Sequence, residues 1–167
     1  MLGPLWTDQP SAPTFAKDFS TKLAAQVQSL LDAGAGYVFV PGLYAKDISP
    51  SAQFYADTPA KVANLGAIIQ EANTAIEAAL KPMGPKVLYY DVYCYMKGLW
   101  TDAAANGFTH VGKEFCDGFS EEDFQLCLVP GKSKDQFFWT QYLDMTTRVH
   151  SLIAQDMAKA IMGHKWE

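Results

Sequence analysis

The sequence predicts an α/β fold: two short central strands at 37–41 and 86–91, a third pairing near 137–139, and three or four helices. Two runs carry the strand prediction. Tyr37–Val40 and Val87–Tyr90 are short and continuously apolar, the pattern of strands covered on both faces. Each run follows a longer segment whose apolar residues recur at helical spacing, so helix and strand alternate along the chain.

Composition narrows the classes. The 167 residues fit one domain, 1–167, with a core of its own, and 49% apolar against 19% charged residues exclude a disordered chain. With a net charge of −5 and no Lys/Arg run, nucleic acid is not an expected partner. No apolar run approaches the ~20 residues of a membrane span. Met1–Thr14 lacks a basic start followed by an apolar core, so no secretion signal is expected and the chain as written reads as cytoplasmic.

Taken in order, the first helix runs from Thr14 to Ala33, where Phe15, Phe19, Leu23, Val27, Leu30 and Leu31 share a face and Gly34 and Gly36 stop it. Pro41-Gly42 ends the first strand. Leu43 to Asp57 reads as a polar, irregular loop without His or Cys, hence without a metal site. Thr58-Pro59 starts the next helix with a hydroxyl cap and proline in the first turn. Its buried stripe is Val62, Leu65, Ile69, Ala72, Ile76 and Leu80, and Lys81-Pro82 with Gly84-Pro85 ends it. Asp91 sits at the carboxyl end of the second strand, and a helix carrying Tyr95, Leu99 and Trp100 is expected over Val92–Ala105 before a turn at 106–109. Ser120 with Glu121-Glu122-Asp123 reads as a capped first helical turn.

The stretch from Phe137 to Met157 is the most informative. Phe137, Phe138 and Trp139 form an aromatic cluster that runs into a polar turn. A helix follows with Val149, Ile153, Met157 and Ile161 on one face, capped by Thr146 or Thr147. A strand end followed by a loop and a helix is where open α/β sheets place functional groups.

This stretch resembles the last conserved block of fungal GDSL-type (SGNH) esterases, in which an aromatic pair precedes Asn or Asp, two residues, His-Pro-Thr, three residues and a second His. Trp139, Thr146 and His150 match that pattern; Gln141 stands at the triad acid position, Asp144 at the catalytic His, and Met145 replaces the proline. Leu31–Ala35 before a strand, Asn73 in the long helix, Tyr90–Tyr93, and Ala104–Thr109 with Cys116 resemble further blocks in the family's order, so the likeness covers roughly residues 15 to 162. The chain carries no Gly-Asp-Ser motif, where the family keeps its nucleophile, and Leu5–Asp8 keeps only the Asp of the family's Gly-x-Asn-Asp block. The resemblance therefore implies a truncated SGNH-like domain: a partial layer of short parallel strands flanked by helices and completed by association.

An ester-cleaving triad needs a nucleophile, a base, an acid that orients the base, and oxyanion donors. Glutamine cannot carry the charge that stabilises an imidazolium, and aspartate, with a reference pKa near ~3.9, is too weak a base for a serine hydroxyl. Three readings follow. The first is a GDSL-derived protein without an intact Ser-His-Asp triad, repurposed to bind a small molecule or partner in the remodelled cleft. The second is a subunit of a split ester hydrolase whose serine lies on another chain. The third is an enzyme of different chemistry in which Asp144 and His150 with the nearby Trp139 and Tyr142 form a new pocket at a dimer interface; Trp139, Tyr142 and Thr146 are the candidate substrate contacts. No cofactor or metal is implied.

His150 reads either as a displaced base paired with Asp144 or as a residue that hydrogen-bonds for structure in the first turns of its helix. His110 and His164 read as surface residues, and Asp91 as a structural residue of the following turn. Tyr89, Tyr90, Tyr93 and Tyr95 suggest core plus one wall of a pocket. Cys94 reads as a buried, small apolar residue. Cys116 and Cys127 bracket a short loop and stand either as a local disulfide, which is common near this place in the usually secreted family, or as thiols in a reducing compartment. Two or three strands of continuous apolar character leave an edge uncovered, so a homo-oligomer or a chain supplying the missing strands is the expected partner.

Overall fold

The computed structural model describes residues 12–55, 58–112, 133–140 and 143–166. They form a mixed helix–strand structure around one parallel two-stranded sheet. Helix α1 (Ala12–Asp32) leads into strand β1 (Val38–Pro41), and helix α3 (Pro59–Leu80) returns the chain to strand β2 (Val87–Tyr90). The register sets Val38 opposite Val87, Phe39 opposite Leu88, Val40 opposite Tyr89 and Pro41 opposite Tyr90. A helix between two parallel strands is the crossover that such pairing requires.

The start of α3 follows from its sequence. The Thr58 hydroxyl accepts from the backbone N–H of Lys61, and Pro59 needs no N–H partner at the first helical position. The helix then tightens into a 3₁₀ turn over Lys81–Lys86, which Gly84 leaves at a φ of 72°. Val27 of α1 packs with Val40, Ile76, Leu80 and Val87, so α1 and α3 share one small core against the sheet.

A larger core lies beyond the strands. Ala45, Ile48, Ile69, Tyr90, Tyr93, Met96, Phe108, Phe138, Trp139, Val149 and Ile153 bury one another there. It joins helix α4 (Val92–Thr101) and helix α5 (Thr147–Gly163) to the loop after β1. Asp91 caps α4 by accepting from the N–H of Cys94, the structural role expected of it.

Several expectations are corrected. The segment expected to be an irregular loop contains a 3₁₀ turn at Lys46–Ile48 and helix α2 (Pro50–Tyr55), and its residues 47–52 are buried. α4 stops at Thr101, with turns in place of its expected last residues. Near 137–139 the described residues form only single bridges, His110 with Phe137 in parallel and Trp139 with Met145 in antiparallel. β1 is not covered on both faces: Tyr37, just before it, is 56% exposed. Cys94 is exposed, because it follows the cap of α4 on the solvent side. Of the α1 stripe only Val27 is buried, with Phe15, Phe19, Leu23 and Leu31 half-buried and Leu30 exposed; along α5, Val149 and Ile153 are buried, Met157 is half-buried and Ile161 is exposed. No helix among the described residues is long and apolar enough to cross a membrane.

Candidate functional site

Three segments converge where β1 and β2 end. Gly42 donates its N–H to the carbonyl of Tyr90 at 2.9 Å and so carries the ladder one residue past β1. The chain then turns through Leu43 and Tyr44, while Asp91 and α4 leave from β2. The third segment is a hairpin before α5. Trp139 and Met145 face each other across it, the Thr140 N–H donates to the Asp144 carbonyl at 2.8 Å, and the Thr146 N–H donates to Phe138 O at 3.0 Å.

The hairpin is fixed by its aromatic base. The rings of Phe138 and Trp139 lie 5.3 Å apart, tilted by 47°, and are wholly buried in the larger core. The Trp139 Nε1–H is buried without a hydrogen-bond partner among the described residues. Thr146 ties the hairpin to α5: its hydroxyl donates to Phe137 O at 2.9 Å and accepts from the Val149 N–H at 3.4 Å. Thr146, offered by the sequence as a substrate contact, is thus a buried helix cap, and Trp139 is a core residue.

Asp144 is exposed, and its charge is a secondary influence on the Tyr44 phenol. Burial, and secondarily that charge, push the Tyr44 hydroxyl above its ordinary value. His150 is exposed in the first turns of α5, its backbone N–H bonded to Thr146 O at 3.0 Å. Among the described residues no hydrogen bond or ion pair joins it to Asp144. Gln141, Tyr142, Cys116, Cys127 and the acidic triplet 121–123 lie outside the described residues.

Of the remaining candidates, His110 is half-buried and stacks on Phe137 at 4.3 Å, and His164 lies 2.8 Å from Pro85 O. Tyr90 donates to Asp156 Oδ2 at 2.8 Å and Tyr95 to Leu152 O at 3.1 Å, so both pin α5. Among the described residues no group of His, Cys, Asp and Glu is placed to hold a metal ion.

On the other side of the loop after β1 is a polar cluster that the sequence reading did not single out. The Asp47 carboxylate is buried against α3 and α4, and Oδ2 accepts from Lys97 Nζ at 3.0 Å and from the Tyr93 hydroxyl at 3.2 Å. Gln70 Nε2 donates in turn to Tyr93 Oη at 3.1 Å. Burial first, then the Asp47 charge, push the Tyr93 phenol up to about 12. The signals were available: Tyr93, Lys97 and Trp100 recur at helical spacing, and Gly66 interrupts a helix, which marks a close approach.

The chain matches no protein-family model and no curated protein.

Proposed function

We propose that this chain is a GDSL-esterase-derived protein that binds a small molecule at the carboxyl edge of its two strands, without ester-cleaving chemistry of its own. One observation carries the reading. The loop after β1 and the hairpin before α5 come together there, Leu43, Tyr44 and Ala45 of the first packing in one core with Trp139 and Met145 of the second. Open α/β sheets take their ligands in the crevice outside the carboxyl ends of the strands. A base needs an acid partner to orient it, and Asp144 and His150, both exposed and unjoined, do not supply such a pair.

The test is a backbone-amide NMR screen of small polar fragments, run beside an assay with an activated acetyl ester. Binding is expected to move the signals of residues 43–46 and 143–146, and Asp144→Asn is expected to weaken it while His150→Ala does not. Shifts confined to other surfaces would remove the reading, as would hydrolysis abolished by changing one of the chain's own serines.

Association belongs to the same proposal. Among the described residues the sheet has two strands, so each keeps one edge without a ladder partner, and such edges pair readily with another chain. A second copy or a strand-donating chain is the expected partner. A stable monomer by light scattering at micromolar concentration is the opposing result.

A further inference from the structure

The Asp47 cluster is built in a way that packing alone does not require. Asp47 is 7% exposed, and its two oxygens are treated unequally. Oδ2 takes two donors, from Lys97 and Tyr93, while Oδ1 is buried with no partner among the described residues. The Ser51 hydroxyl, on the same segment, is likewise buried without a partner among them. Leaving a buried carboxylate oxygen without a donor is costly, and buried ion pairs seldom return their desolvation.

Access is one-sided. α3 closes the back of the site at Gly66, where a Cβ would stand 3.0 Å from Asp47 Oδ2 and 3.3 Å from Tyr93 Oη. The front is Lys97, whose side chain is 35% exposed against 8% for Asp47. Its ammonium also lies 5.8 Å from the centre of the Tyr93 ring and 5.6 Å from that of Trp100. A carboxylate with two aromatic faces is the acceptor set that recognises an organic cation.

We propose that Asp47, with the faces of Tyr93 and Trp100, forms a receptor site for a small primary amine in its ammonium form, and that Lys97 is an internal occupant which such a ligand displaces. An ammonium carries three donors. Tethered to α4, the Lys97 ammonium bonds to Oδ2 of the carboxylate; a free, compact ammonium has the donors for Oδ1 as well. The buried oxygens admit a primary head group and exclude a quaternary one. This inference is independent of the crevice at Tyr44 and Asp144.

The probe is methylammonium chloride, titrated into the whole chain with ¹³C-labelled lysine and followed by NMR. Ring currents from Tyr93 and Trp100 set the Lys97 ε-methylene apart from those of the exposed Lys81 and Lys86. Methylammonium is expected to move it saturably toward their position, while equal concentrations of sodium or tetramethylammonium chloride do not. Asp47→Asn is expected to raise the midpoint about tenfold or more, because a charge-assisted acceptor becomes a neutral amide. In Lys97→Met the site has no internal occupant, and methylammonium is expected to raise Tm above that in matched sodium chloride. A Lys97 signal that stays in place, or moves equally with sodium, overturns the proposal, as does a Lys97→Met protein whose Tm ignores the amine. Should that variant not fold, the wild-type titration decides alone.

Discussion

The side-chain amide of Asn73 closes two hydrogen bonds on a single residue, Leu43. Its Oδ1 accepts from the Leu43 N–H at 2.7 Å, and its Nδ2 donates to the Leu43 carbonyl at 2.9 Å. Asn73 is buried in the middle of α3, so the clamp fixes the path by which the chain leaves β1. That exit sets the positions of both Tyr44 and Asp47. Asn73→Ala would strand a donor and an acceptor, and a loss of about 2–5 kcal/mol is expected from two such groups. Urea unfolding measures it. Asn73→Asp keeps the acceptor but turns a buried carboxylate oxygen toward the Leu43 carbonyl, so it is expected to cost at least as much as the alanine variant.

Next to this clamp, a missing side chain and an orphaned hydroxyl are linked. A Cβ on Gly42 would stand 2.5 Å from Tyr89 Oη and 2.9 Å from Asn73 Oδ1. Tyr89 Oη is itself buried without a partner among the described residues. Tyr89→Phe is therefore expected to leave stability unchanged or raise it by up to about 1 kcal/mol, since it removes an unsatisfied group. Gly42→Ala is expected to cost about 1–3 kcal/mol by overpacking. In the double variant the loss should shrink, because the closest of the clashing atoms is gone; strict additivity in chemical denaturation would contradict this account.

How much of this was visible in the sequence depended on whether the signal was local. Thr58 and Asp91 act within their own turn and cap α3 and α4, and of the two threonines that the sequence offers for α5 it is Thr146 that caps it. The two strands were likewise legible from their apolar runs. Asp47, Ser49 and Ser51 make this segment polar in sequence, yet they are buried in a 3₁₀ turn and helix α2; Ser49 caps α2, donating to Lys46 O at 2.7 Å and accepting from the Ala52 N–H at 3.2 Å. A serine before a proline is a local helix-start signal, the same kind as Thr58-Pro59. Trp139 and Thr146 fit a family pattern, but a pattern does not say which way a side chain points. The core that buries Trp139 draws on Met96 and Phe108, far from it in the chain.

Thr146 provides a test of the junction between hairpin and helix. Its hydroxyl serves Phe137 O and the Val149 N–H together. Thr146→Ala is expected to cost about 1–3 kcal/mol, combining a lost cap with an orphaned buried carbonyl. Thr146→Ser keeps both bonds and should retain most of the stability. Equal losses in the two variants would show that the methyl group's packing, rather than the hydroxyl, holds the junction.

The tyrosines set the alkaline limit of the fold. Burial, foremost, raises the phenols of Tyr44, Tyr89, Tyr90, Tyr93 and Tyr95, with nearby carboxylates adding to it, and Tyr93 is pushed up to about 12. An unfolded tyrosine releases its proton near ~10. The folded chain therefore holds these protons more tightly, and the stability they contribute is complete below the unfolded value. It drains away as pH rises from there through the folded values, so the urea midpoint should be flat up to about pH 9 and fall steeply between about pH 10 and pH 12. Tyr93→Phe removes one such group and its bond to Asp47, so it should lower stability near neutrality yet make the alkaline fall shallower. Tyrosinate absorbance followed with pH reports the same protons directly, and ionisation of all these phenols near ~10 in the folded chain would sink the argument.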